Sequence, residues 1–162
     1  MKYADCPTVE VQTVVDAPAA AVWALVSDIE TPTRFSDELQ GVRWVDEQRF
    51  VGHSHHPAIG DWETTCTVVD RDPERTFGWI VGDPQHPSAA WRFTLEATSG
   101  GVVLRQWMRM GPAPSGLNIA IDAHPDKEER IVARRLDEHR ANMQTTIDGI
   151  RRLAESTSPL GD

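Results

Sequence analysis

The chain has 162 residues, 40% hydrophobic and 25% charged, with a formal net charge of −9, which fits one globular domain. That charge excludes the basic face nucleic acid requires, and no apolar stretch approaches the ~20 residues of a membrane-inserted helix. Two cysteines, Cys6 and Cys66, make no disulfide framework, and with no apolar signal core at the start a cytoplasmic protein with free thiols is expected.

Val9, Val11 and, after a one-residue slip, Val14 and Val15 predict a first strand over residues 8–16. Asp16 offers an N-cap and Pro18 fits a first helical turn. Val22, Leu25, Val26 and Ile29 then share one face of a helix over 18–27. Thr31-Pro32 interrupts it, since the residue before proline avoids the helical region, and a second short helix is expected over 33–38.

Six strand-like segments follow, over 41–45, 49–55, 61–69, 76–81, 90–97 and 102–110. Short turn sequences separate them in pairs: Asp46-Glu47-Gln48, Arg71-Asp72-Pro73-Glu74 and Ser99-Gly100-Gly101. Such turns require antiparallel pairing. Gly111 to Gly116 reads as a stiff hinge able to gate a pocket, and 117–123 as a turn of helix over its mouth. Asp126 and Glu129 form a potential capping box. Beyond them Val132, Leu136, His139, Met143, Ile147, Ile150 and Ala154 make one stripe of a long closing helix. Residues 126–155 carry seven basic and seven acidic side chains, so the acidic excess lies before them.

A strand, a short helical insert, an antiparallel sheet and a long helix make a sheet wrapped around a helix, with a space between them. This order resembles the helix-grip fold of the START/Bet v 1-like (SRPBCC) superfamily. The opening strand, Ala17-Pro18, Val22-Trp23 and Asp28 before a proline-containing second helix resemble its polyketide cyclase/dehydrase-like branch. The resemblance covers about residues 8–154. It implies an α+β fold: a curved antiparallel sheet of about seven strands around a long C-terminal helix, with two short helices after the first strand. It also implies one domain over 1–162, with 155–162 a flexible tail. The function it implies is binding of a small hydrophobic or aromatic molecule, lipid- or polyketide-like, in an internal cavity. The alternatives are a cyclase/dehydratase-type enzyme in the same cavity and a filled-cavity interaction module. No catalytic signature maps onto the chain. No cofactor and no metal are expected, and the protein is expected to be a monomer or homodimer.

Strand alternation gives the inward set. Trp62, Thr64, Cys66 and Val68 share one face, as do Phe77, Trp79 and Val81, and Trp91, Phe93 and Leu95. In the last strand Leu104, Gln106 and Met108 point inward, because the other choice buries Arg105, Trp107 and Arg109. The candidate ligand contacts are therefore Trp62, Thr64, Cys66, Trp79, Trp91, Phe93, Gln106, Met108, His139 and Met143. Trp62, Trp79 and Trp91 make a candidate aromatic wall, whereas Trp23 reads as packing. Each of these residues also fits a plain core.

His139 lies where an apolar residue is expected, so it needs a buried hydrogen-bond partner, contacts ligand, or serves as an acid/base. Arg135 and Asn142 flank the stripe at the pocket rim. Cys66 is either a small buried residue or, given a base, a nucleophile. His53, His55 and His56 read as a strand end entering a polar loop, or as ligand contacts; His53 and His55 also share a strand face and, with Asp61 or His86, have the donors for a metal, but no matching acidic or Cys motif accompanies them.

Overall fold

The computed structural model describes residues 1–157. A 3₁₀ turn (Tyr3–Asp5) leads into β1 (Thr8–Val15), α1 (Ala19–Val26) and a second 3₁₀ turn (Thr31–Arg34). Then come β2 (Leu39–Trp44), β3 (Arg49–His56), β4 (Gly60–Asp72), β5 (Thr76–Asp83), β6 (His86–Thr98) and β7 (Gly101–Met110). α2 (Leu117–Ala123), a third 3₁₀ turn (Pro125–Lys127) and α3 (Glu128–Thr157) close the chain. The strands form one seven-stranded sheet, ordered β1-β7-β6-β5-β4-β3-β2, with every neighbouring pair antiparallel. This is the expected α+β helix-grip architecture.

Curvature comes from register shifts between Leu39 and Gly41, Val68 and Asp70, and Val81 and Gly82. Each such irregularity bends its strand and raises the local twist. The bent sheet closes around α3, which packs chiefly on β1 and α1. Val132, Met143, Ile147, Ile150 and Ala154 of the stripe are buried there with Val9, Val11, Val15, Val22 and Val26. Each large side chain so buried contributes about 1.5–3 kcal/mol.

Several local expectations are corrected. β1 has no slip: Val9, Val11, Thr13 and Val15 alternate inward, and Val14 is exposed. The unbroken ladder with β7 leaves no residue spare for a bulge. Asp16 does not cap α1; Pro18 holds the N-cap position, and the Asp16 backbone N–H donates to Glu155 Oε2 at 2.9 Å. The second short helix is the 3₁₀ turn at Thr31–Arg34, with Pro32 inside its first turn. Proline there supplies a fixed φ and loses no needed donor. Asp126 lies inside a 3₁₀ turn that runs into α3, so the capping box with Glu129 does not form. Glu128 and Glu129 instead receive the Tyr3 backbone N–H and the N-terminal ammonium. α3 continues to Thr157, three residues into the predicted tail. The rest of that tail, 158–162, lies outside the described residues. No helix among the described residues is long and apolar enough to cross a membrane.

Candidate ligand cavity

Between α3 and the concave face of the sheet lies a cavity of about 310 Å³. All ten predicted contact residues line it: Trp62, Thr64 and Cys66 from β4, Trp79 from β5, Trp91 and Phe93 from β6, Gln106 and Met108 from β7, and His139 and Met143 from α3. Alternation puts them there, since the inward positions of β4 to β7 all face the same helix. The outward alternates of β7 stay outside: Arg105 binds Gln12 and Glu96, and the Arg92 guanidinium lies 4.5 Å from the Trp107 ring centre.

The wall is aromatic. Trp79 and Trp91, paired across β5 and β6, stand with planes 10° apart and centroids 6.3 Å apart. Trp79 also meets Phe50, Phe77 and Phe93, each at 6.0 Å. Trp62 also lines the cavity, apart from the described ring pairs. Trp23 stacks edge-on against Phe77 at 6.2 Å, behind the lining. Ser115, Gly116 and Leu117 border the cavity, and the exposed lining residues Asp28, Ile59 and Gly116 mark its rim.

The lining also carries polar side chains, among them Thr64, Gln106, Asn142 and Thr146. Gln106 is only 5% exposed, and its Oε1 has no hydrogen-bond partner among the described residues. Thr64 Oγ1 lies 3.9 Å from Cys66 Sγ. Burial pushes the Cys66 thiol up to about 11, with Thr64 opposing. Burial thus favours the thiol over the thiolate, which weighs against the nucleophile reading.

His139 does not find the buried hydrogen-bond partner expected of it. Its ring packs edge-on against Trp91, centroids 5.4 Å apart, and no described protein group hydrogen-bonds it. The residue itself lines the cavity. Burial, then the nearby Arg135 cation, lower its pKa to about 4, against an opposing pull from Glu38. The folded state thus favours the neutral ring. Below an unfolded pKa of ~6.5 the unfolded chain binds the extra proton first, so stability falls as pH drops from 6.5 towards 4. Removing the imidazole by His139→Gln is expected to abolish about 2–3 kcal/mol of the stability lost between pH 7 and pH 4.5. Urea unfolding of both proteins at the two pH values measures this, and equal losses would refute the assignment.

At one end of the cavity lies an ion cluster that sequence reasoning missed. Arg135 donates from both terminal nitrogens to Glu38, the Nη2–Oε2 distance being 2.8 Å, and from Nη1 to Glu138 Oε2 at 3.0 Å. His56 Nε2 also meets Glu138 Oε2, at 2.8 Å. The Arg135 and Glu38 side chains are only 12% and 14% exposed. Burial alone would lower the Arg135 pKa, but the two carboxylates hold it above its ordinary value. Arg135 and Glu38 both line the cavity.

Glu38, His56 and Glu138 bring ligand-type atoms within 4.8 Å of one another. The Arg135 cation already bridges the two carboxylates, so the geometry is that of an ion-pair latch. His53 and His55 both reach Asp61, at 3.4 and 3.2 Å, on exposed side chains. Tyr3 was also missed. It is buried, lines the cavity and donates from its hydroxyl to Ala113 O at 2.7 Å. One apolar residue ahead of the first strand gives no periodic signal.

The sequence profile described as "Polyketide cyclase / dehydrase and lipid transport" matches residues 7–148. No curated protein matches the chain. Among solved structures, the Polyketide_cyc-like protein Cgl2372 from Corynebacterium glutamicum is 29% identical, with a TM-score of 0.61 over 90% of each chain. One half of the di-domain ARO/CYC StfQ from the steffimycin biosynthetic pathway matches with a TM-score of 0.68 at 15% identity, 92% of this chain covering 51% of that one. Ara h 8.0201 matches at 15% identity and a TM-score of 0.58, over 93% of this chain and 99% of that one. At these last two identities the likeness is one of fold. The profile match spans most of the chain and coincides with the whole sheet and most of the closing helix, so this protein belongs to the polyketide cyclase/dehydrase and lipid transport family of the helix-grip superfamily.

Proposed function

We propose that this protein binds a small, mainly apolar molecule non-covalently in the cavity between its sheet and α3. The observation that carries this reading is an aromatic cavity of about 310 Å³ lined by Gln106, whose buried Oε1 is left unpartnered. Ligand sites are commonly of roughly 300 Å³ and upward, apolar with a few orienting polar groups. A filled core would have closed that space, because interiors pack to crystal-like density.

An enzyme in the same cavity is the second reading, favoured by a histidine, His139, on the lining. General acid/base catalysis works best with a pKa near the working pH, and that of His139 is lowered to about 4. A neutral imidazole there is suited to hydrogen-bonding a ligand.

Native mass spectrometry of the purified protein, followed by solvent extraction, tests the binder reading. A bound small molecule is expected, released by extraction. His139→Ala is expected to weaken its retention only modestly. If the protein shows no adduct and also fails to take up any apolar aromatic probe, the reading is wrong.

A further inference from the structure

We infer that the cavity selects an electrically neutral ligand bearing a hydroxyl group, and that Gln106 is the residue that recognises the hydroxyl; this rests on the cavity being a ligand site. The first argument is charge. The charged side chains on the lining are Asp28, Glu38 and Arg135. Asp28 is exposed at the rim. The Arg135 guanidinium is already engaged by both oxygens of Glu38 and by Glu138. A ligand carboxylate or phosphate would have to displace Glu38 and then sit beside two carboxylates with one cation between them. No other lysine or arginine lines the cavity among the described residues. The arrangement works against anions such as fatty acids.

The second argument is the Gln106 amide. Gln106 stands in the middle of β7, level with Val11 of β1 and Phe93 of β6. Neither neighbour offers it a polar side chain. Its buried Oε1 is unpartnered, and a buried polar atom without a partner is costly. A bound molecule that supplies the missing hydrogen bond is preferred over an isostere that cannot. A hydroxyl meets the need in either orientation of the amide, because it both donates and accepts. The stacked Trp79 and Trp91 favour a flat ring for the rest of the ligand.

Three probes of one ring size separate these arguments: 2-naphthol, naphthalene and 2-naphthoate, compared by equilibrium dialysis at pH 7. 2-Naphthol is expected to bind about tenfold tighter than naphthalene, the scale of one added neutral hydrogen bond. It is expected to exceed 2-naphthoate by at least about tenfold as well. In the near-isosteric Gln106→Met variant the advantage over naphthalene is expected to disappear. If wild-type protein binds naphthalene as tightly as 2-naphthol, the role of Gln106 is overturned while the cavity remains a binding site. If 2-naphthoate matches 2-naphthol, the neutral-ligand argument is overturned. If none of the three binds at its solubility limit, the cavity reading fails and this inference with it. The wild-type comparisons decide the matter even if the variant does not fold.

Discussion

Gly101→Ala is expected to cost about 3 kcal/mol of unfolding free energy, from the strain of a side chain at positive φ added to overpacking. Gly101 begins β7 at φ +128°, and a Cβ there would stand 2.5 Å from the Val15 carbonyl oxygen and 3.3 Å from its carbon. These are backbone atoms of β1 in the ladder with β7, so no rotamer change relieves the contact. The adjoining turn is held by Thr98, whose hydroxyl donates to Gly101 O at 2.8 Å and accepts the Gly100 N–H at 3.2 Å. The consequence reaches the cavity through register. A one-residue slip of β7 would turn Gln106 outward and Arg105 inward. Urea denaturation measures the loss. A change under about 1 kcal/mol would mean that the hairpin relaxes around the methyl group.

The β6–β7 hairpin also shows how much of the fold was legible in the sequence. Ser99-Gly100-Gly101 gave the β6–β7 turn directly, and strict alternation on either side gave the inward residues. β4 and β6 run to 13 residues each, longer than expected, because their ends carry charged and turn-type residues that still pair at exposed hairpin tips. Alternation says which face a residue takes wherever that face is apolar. It says nothing about polar residues brought together from distant segments. Glu38 read as part of a short helix and His56 as the end of a strand. Arg135 read as flanking the apolar stripe at the pocket rim, and Glu138 as lying on another face of α3. The latch exists only because the edge of the bent sheet returns to the helix. That closure is a property of the whole sheet and leaves no local spacing to read. Gln106 was legible as inward, but the missing partner of its amide was not, since β1 and β6 had first to be placed beside it.

Removing the cation from that latch is the second large expected effect. Arg135→Met leaves Glu38 almost buried with a carboxylate and no partner, and is expected to cost about 3 kcal/mol at pH 7. Glu138 suffers less, since His56 remains 2.8 Å away. The double variant Arg135→Met/Glu38→Gln is expected to be more stable than Arg135→Met alone, because it removes both the charge and its lost partner. Urea unfolding of the two single variants and the double variant gives the coupling, and strictly additive losses would show that the pair does not act as a unit. The same variants report on the cavity through His139, one helical turn along from Arg135. The Arg135 cation lowers the His139 pKa and Glu38 raises it. NMR titration is therefore expected to move His139 upward in Arg135→Met and downward in Glu38→Gln. Opposite shifts from two residues in one ion pair have no origin in general loosening, which would admit water and push both in the same direction. If they occur, the latch sets the charge state of the cavity's histidine, the only one on its lining among the described residues, as well as holding the edge of the sheet to the helix.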